Sequence, residues 1–407
     1  MGIRIGFAGT GAHAQHYVRL FNAHPLVDEL VLADLLPERA KETAEQFGIE
    51  KTADSLDALC DMDVDAIAVM TQRELHGPQA LQALRAGKHV YCAVPIAQTI
   101  EEVRTIVEAV EETGLLYQTS ETSYYYPCSI YCRDRYRKGD FGDVIYGEGQ
   151  YFHDMSHFYL PFQRSGGENW KWVAGIPPMH YPTHSVSMMA SVTGAHAKNV
   201  SCLGWVDHHE DGIFRKGVNK WDNVFSNETA LFQMSDGSMM RTNEFRRIAC
   251  RGPAGGVLMS LYGTEGSYEH HSGSQVWATN EPKELTDLTD LLRCGLLKVK
   301  NPRPDEDITV VEESHTGASQ VHNVKRLPKE FVGLPNGHLG SHQFLADDFC
   351  KAVVANRLSP NHVWAAARYC IPGLMAHQSA ERDGERLDIP DLGDPPAEWD
   401  MLCPDDE

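Results

Sequence analysis

Two groups of residues in this 407-residue chain have types and spacings suited to chemistry. The first is Gly9-Thr10-Gly11-Ala12-His13-Ala14, which closes an apolar run over residues 3–9. Gly9 permits a tight turn, Gly11 lets a diphosphate approach the backbone, and a small residue at 14 allows close helix–strand packing. Asp34 ends a second apolar run, 34 − 11 = 23 residues beyond Gly11, where a carboxylate holds adenosine ribose hydroxyls. Leu35 and Leu36 follow it, with no arginine placed to receive a 2′-phosphate, so these residues point to NAD rather than NADP. The alternative is a flavodoxin-like fold without nucleotide, which needs neither this turn nor its acid.

The second group is Tyr151-Phe152-His153-Asp154 together with His180-Tyr181-Pro182-Thr183-His184. Histidine titrates near neutrality and suits proton transfer. Tyr151 and His153 lie two apart in a strand-like segment and share one face. Trp170 and Trp172 either stack on a sugar ring or pack internally. Arg246, Arg247 and Arg251 either meet an anionic substituent or form a solvated run.

The elements that must position these residues follow from periodicity. Apolar runs at residues 3–9, 30–34, 66–70, 89–92 and 115–118 alternate with helical stretches at 12–23, 37–47, 77–86 and 100–112. Five strands separated by helices predict a doubly wound parallel sheet, a Rossmann domain over residues 1–122. Strand-like segments at 144–152, 197–203, 228–233 and 238–245 then follow with few helices between them. They predict an α+β domain on a largely antiparallel open sheet over 123–340, with an insertion near 275–335. Helical periodicity returns at residues 342–382, so 341–407 reads as closing helices and a tail packing back on the core.

Composition excludes several classes. The net charge, 36 − 57 = −21, disfavours nucleic acid and anionic membrane as partners. No run approaches the roughly 20 apolar residues of a membrane span, and the start has no signal-peptide pattern, so a cytoplasmic location is expected. Ten cysteines without a C-x-x-C pair read as free thiols. His208-His209 and His270-His271 look like ligand pairs, but neighbours on a strand face opposite ways. No metal is expected.

Further motifs bring a family into view. Thr71-x₄-His76-x₃-Ala80-x₂-Ala83-Leu84-x-Ala86-Gly87-Lys88-His89-Val90 and Gly263-Thr264-Glu265-Gly266-x-x-Glu269 resemble the Gfo/Idh/MocA oxidoreductases. The resemblance implies a Rossmann domain followed by an open-sheet domain, and oxidation of a sugar or polyol hydroxyl with a nicotinamide cofactor. It also implies homo-oligomers, dimers or tetramers, built through the open sheet. It places Thr71, His76, Pro95, Trp170 and Lys171 at the cofactor with Gly9, Thr10, Gly11, Ala12, His13 and Asp34. Where most dehydrogenases of this family carry Glu-Lys-Pro, this chain has Ala93-Val94-Pro95. The lysine base is absent, so another group must take the hydroxyl proton.

The Tyr-x-His-Asp and Tyr-Pro-Thr-His segments resemble the NAD-dependent glycoside hydrolase branch of the family. That branch oxidises a sugar at C3, eliminates the aglycone from C1, adds water and reduces C3 again. The resemblance gives His184 the hydroxyl proton, Tyr151 and His153 the C2 proton and leaving group, and Tyr181 the sugar. Sulfoquinovosides and N-acetylhexosaminides are its substrate classes. Asn336-Gly337-His338 resembles a turn near such active sites, with Ser341 as helix N-cap in the plainer reading. The alternatives are a plain NAD-dependent sugar or polyol dehydrogenase using His184, and a non-catalytic sensor.

Overall fold

A computed structural model provides the structure and describes residues 2–249, 256–271, 273–295 and 315–403. Its helix boundaries follow local chemistry. In the first half the elements run β1 (Ile3–Ala8), α1 (Ala12–Ala23), β2 (Val27–Ala33), α2 (Pro37–Phe47), β3 (Lys51–Ala53), α3 (Leu56–Asp61), β4 (Ala66–Val69), α4 (His76–Arg85), β5 (His89–Cys92), α5 (Ile100–Thr113) and β6 (Tyr117–Thr119). Helix α2 starts on Pro37 and stops at left-handed Gly48, the asymmetry expected of proline and glycine at helix ends. A reciprocal Thr99–Glu102 capping box opens α5.

The sheet is six-stranded in the order β3-β2-β1-β4-β5-β6, all parallel. The sequence predicts five strands here. The sixth, β3, is the exposed Lys51 and Thr52 with half-buried Ala53, and no apolar run announces it.

The second half holds α6 (Pro127–Arg137), β7 (Val144–Phe152), α7 (Tyr159–Gly166), α8 (Lys171–Ala174), α9 (Thr183–Thr193), β8 (Ala197–Val206), β9 (Phe225–Met234), β10 (Met239–Phe245), β11 (Val257–Gly263), β12 (Gly266–His271), β13 (Ser274–Thr279) and β14 (Glu284–Asp287). Then come α10 (Gly337–Gly340), α11 (His342–Ala355), α12 (Val363–Ala380) and β15 (Leu387–Asp388). The nine-stranded sheet runs β14-β13-β12-β11-β7-β10-β9-β8-β15. Only β7 and β10 pair in parallel, so the expected largely antiparallel sheet is present.

The chain divides into two compact units: Met1–Ile130, Leu291–Ala367 and Leu392–Glu407 form one, Tyr131–Asp290 and Arg368–Asp391 the other. The region predicted as an insertion near 275–335 is thereby split. Strands β13 and β14 extend the second unit's sheet, while Leu327 and Phe331 pack in the first unit's core with Phe7, Tyr17, Phe21, Phe344 and Phe349. Apolar burial, not chain proximity, decides that membership. Part of this segment, like Arg251, lies outside the described residues. Among the described residues no helix is long and apolar enough to cross a membrane.

Candidate functional site

In the first unit the glycine turn fits a dinucleotide. Gly9 has φ +97, and a Cβ there would meet the Met70 carbonyl oxygen at 2.6 Å, so only glycine is tolerated. A Cβ on Gly11 would meet nothing within 4 Å, which leaves the approach over the turn open. Gly11 is also the N-cap of α1 and supplies no side chain to its first N–H groups. Uncapped helix donors beside a glycine turn are the chemistry a diphosphate requires.

Asp34 is buried at the end of β2. Its Oδ2 accepts the Thr10 N–H at 2.7 Å and the Thr10 hydroxyl at 2.9 Å, which locks the turn. Contrary to the sequence reading, an arginine does reach this position. Arg39, in the first turn of α2, donates Nε and Nη2 to Asp34 at 3.0 and 2.6 Å, and the Leu36 N–H adds a bond at 2.9 Å. Burial raises the Asp34 carboxyl, but the Arg39, Leu36 and Thr10 donors outweigh it and hold it below the ordinary carboxylate range.

Thr71 bonds Gln79 through its hydroxyl, and the buried His76 spans two loops. Its Nδ1 lies 2.8 Å from the Pro95 carbonyl and its Nε2 3.1 Å from that of Thr71. Burial lowers His76 although both carbonyls pull the other way, and the ring sits between the β4 and β5 ends, donating to one of the two carbonyls when neutral. Ala93 and Val94, where the lysine would stand, are buried apolar residues. His13, on the first turn of α1, lies 5.6 Å from His338 between ring centres. Ser341 precedes α11 but makes no side-chain cap bond.

In the second unit Tyr151, His153, Tyr181 and His184 come together. Tyr151 is near the end of β7 and His153 just beyond it, their rings stacked at 5.1 Å and 20°. His184 lies in the first turn of α9, 5.1 Å from Tyr151 between ring centres. Tyr181 precedes that helix, 5.9 Å from Tyr151, with its hydroxyl 3.5 Å from His184 Nε2. A Cβ on Gly149 would strike the Ser185 carbonyl oxygen, and one on Gly147 the Met189 sulfur. These bare positions on β7 let α9 approach closely enough for His184 to reach Tyr151.

Behind the four rings is a buried acid that the sequence did not single out. Glu244 on β10 pairs in register with Tyr151, accepts the Ser185 hydroxyl, and forms a 2.7 Å ion pair with Arg246. Burial pushes its carboxyl up to about 7, against the pull of Arg246, Ser185 and His184. Arg246 is itself buried, with its guanidinium carbon 5.0 Å above the Tyr151 ring and 6.0 Å from that of Tyr181. The guanidinium thus lies within cation–π range of both phenol rings.

The alternatives read for the arginines are both corrected. Arg246 and Arg247 are neither solvated nor poised for an anion, because Arg247 pairs with Asp207 and Asp211 at 3.3 and 2.6 Å. Asp154 caps the turn after β7 through the Ser156 N–H at 3.0 Å. Trp170 packs against Tyr159 beside a small apolar cluster, and Lys171 donates to the Asp211 carbonyl at 2.6 Å. Both thus also serve the local fold of the second unit. Trp172 is half exposed. His270 is buried while His271 is exposed, as expected for neighbours on opposite faces.

With this geometry in view, comparison with known proteins shows what the chain is similar to. Residues 3–121 match the GFO_IDH_MocA family model, described as an oxidoreductase family with an NAD-binding Rossmann fold. The match spans the amino-terminal domain, an NAD-binding Rossmann domain. A glycosyl hydrolase family 109 protein of Bacteroides thetaiotaomicron is 29% identical over 208 residues, 48% of this chain and 43% of its own length. An alpha-N-acetylgalactosaminidase of Bacteroides fragilis is 29% identical over 138 residues, 33% of this chain and 32% of its own length. The chain thus spans less than half the length of these curated relatives. Levoglucosan dehydrogenase in complex with NADH and levoglucosan shares the fold at TM-score 0.72 and 18% identity, covering 96% of this chain and 100% of that one. An oxidoreductase from Agrobacterium radiobacter, in complex with NAD⁺, L-tartaric acid and magnesium, superposes at TM-score 0.72 with 14% identity, covering 95% of this chain and 98% of that one.

Proposed function

We propose that this chain is an NAD-dependent enzyme that cleaves a sugar glycoside by transient oxidation at C3, elimination, water addition and re-reduction. The observation that carries the reading is the convergence of Tyr151, His153, Tyr181 and His184, while the loop that bears lysine in related dehydrogenases holds Val94. NAD bound at the Gly9–Gly11 turn, with Asp34 at its ribose, would accept a hydride from the sugar and return it.

His184 takes the proton of the reacting hydroxyl, with Glu244 behind it to stabilise the imidazolium that forms. Tyr151 removes the proton at C2, with the Arg246 guanidinium over its ring. His153 donates a proton to the departing aglycone, and Tyr181 orients the sugar through its hydroxyl. The names of the glycosyl hydrolase relatives support this branch, and alpha-N-acetylgalactosaminides are the first substrates to try. The second reading, a plain sugar dehydrogenase with His184 as base, is favoured by the fold shared with levoglucosan dehydrogenase.

A panel of aryl α- and β-glycosides separates the two. Phenol release without net NADH, with deuterium entering C2 from heavy water, is the expected result. NADH accumulating without aglycone release would overturn the glycosidase reading. Copies of the chain assemble through the open sheet, whose outward face exposes Leu203, Trp205, Leu231 and Met239; light scattering reads the resulting mass.

A further inference from the structure

We propose that His13, His338 and His342 form a binding site for a zinc-class divalent cation. The three belong to the first unit: His13 to the opening turn of α1, His338 to α10, and His342 to the first position of α11. Their candidate ligand atoms all lie within 4.8 Å of one another. Ring centres are 4.7 Å apart for His338 and His342, 5.6 Å for His13 and His338, and 5.7 Å for His13 and His342.

His342 supplies the independent sign that something binds there. Its side chain is 1% exposed, yet neither ring nitrogen has a hydrogen-bond partner. A buried imidazole left so is costly, and a metal ion satisfies one of its nitrogens directly. His13 and His338 are exposed, which gives an ion a path from solvent.

The donor set decides the class of ion. Three imidazoles with no carboxylate among them suit zinc, nickel or copper and disfavour magnesium and calcium. Three protein ligands leave a fourth tetrahedral position for water, the pattern of an open rather than a purely structural site. Zinc–nitrogen bonds of about 2.0–2.1 Å require nitrogens roughly 3.4 Å apart, a closure of about an ångström that rotation of the two exposed rings provides. The backbone is shaped for this arrangement. His338 and Leu339 are consecutive non-glycine residues with φ of 47 and 53, a left-handed pair that serves to aim His338. His16, 5.4 Å from His342 between ring centres, stands behind the trio.

The test uses the full-length protein, freed of any affinity tag and stripped with a chelator. Cobalt(II) is titrated by visible absorption and zinc(II) by calorimetry. One ion per chain at micromolar affinity or tighter, with the intense visible bands of four-coordinate cobalt, is the expected result. His338→Asn keeps a residue that tolerates the left-handed backbone, and His342→Gln keeps a polar side chain of related size; each should weaken binding by roughly tenfold or more. No cobalt band up to millimolar concentration would overturn the proposal, and so would binding that His338→Asn leaves unchanged. If His342→Gln does not fold, the exposed His338 variant decides alone.

Discussion

The peptide oxygen of Ser185 lies so close to Gly149 that a Cβ on the glycine would come within 1.9 Å of it. Strand β7 and helix α9 are therefore in backbone contact at the point where Tyr151 and His184 meet. A methyl group at 149 must push the helix away, because the atom it strikes is main chain. Gly149→Ala should cost about 1–3 kcal/mol of stability as overpacking and lower turnover well beyond the fraction unfolded. Thermal melting and turnover measured on one preparation check this; a variant with unchanged turnover would detach the helix contact from the site.

Glu244 makes stability depend on pH in a defined direction. Its folded carboxyl titrates near about 7, above the roughly 4.3 of an unfolded glutamate. The folded protein thus binds this proton more tightly across that interval. The contribution is complete below about pH 4 and is lost as pH rises through about 7. Glu244→Gln should flatten the decline, so that the variant loses less stability than the parent between pH 5 and 8 in urea titrations. The same variant should shift the acid limb of the pH–rate profile, which an uncharged packing role would leave in place.

Asp34 locks the Thr10 turn and, in the proposed function, also holds the ribose of NAD. Asp34→Asn keeps the shape and removes the charge, so NAD affinity should fall about tenfold, the 1.4 kcal/mol expected of a weakened charge-assisted bond. Arg39→Leu leaves the carboxylate with open lone pairs and should retain or tighten NAD binding. Fluorescence titration with NADH distinguishes the two, and equal losses would show that the pair matters only as a unit.

Phe349 on α11 packs between Phe21 and Tyr91, with ring centres 5.9 and 5.3 Å away. Truncation to alanine leaves a cavity in the first unit's core and should cost about 3–5 kcal/mol. Chemical unfolding measures it. A loss under 1 kcal/mol would mean that α11 contributes little to the nucleotide-binding unit.

Much of this was legible in the residues. The glycine turn, Asp34 and the strand–helix alternation are local signals of the first sheet, and the succession of strand-like segments from residue 144 is the signal of the second. Tyr151 and His153 announce a shared face by spacing alone, and the family motifs add Tyr181 and His184. What could not be read is tertiary. Glu244 lies in an ordinary strand pattern, and its importance appears only when pairing sets it beside Tyr151. Arg39 looks like one more charged residue of an amphipathic helix until α2 folds back on Asp34. His13 and His342 are separated by most of the chain, so no spacing rule joins them. The nearest signals were Gly147 and Gly149 within a strand, since a bare position there marks a close approach.

The chain passes between its two units at Ile130–Tyr131, Asp290–Leu291, Ala367–Arg368 and Asp391–Leu392. No single cut in the gene releases either unit whole. A fragment ending near residue 130 would lack Phe344, Leu345 and Phe349, which complete the core around α1. Neither the nucleotide-binding unit nor its neighbour is a contiguous cassette of the chain.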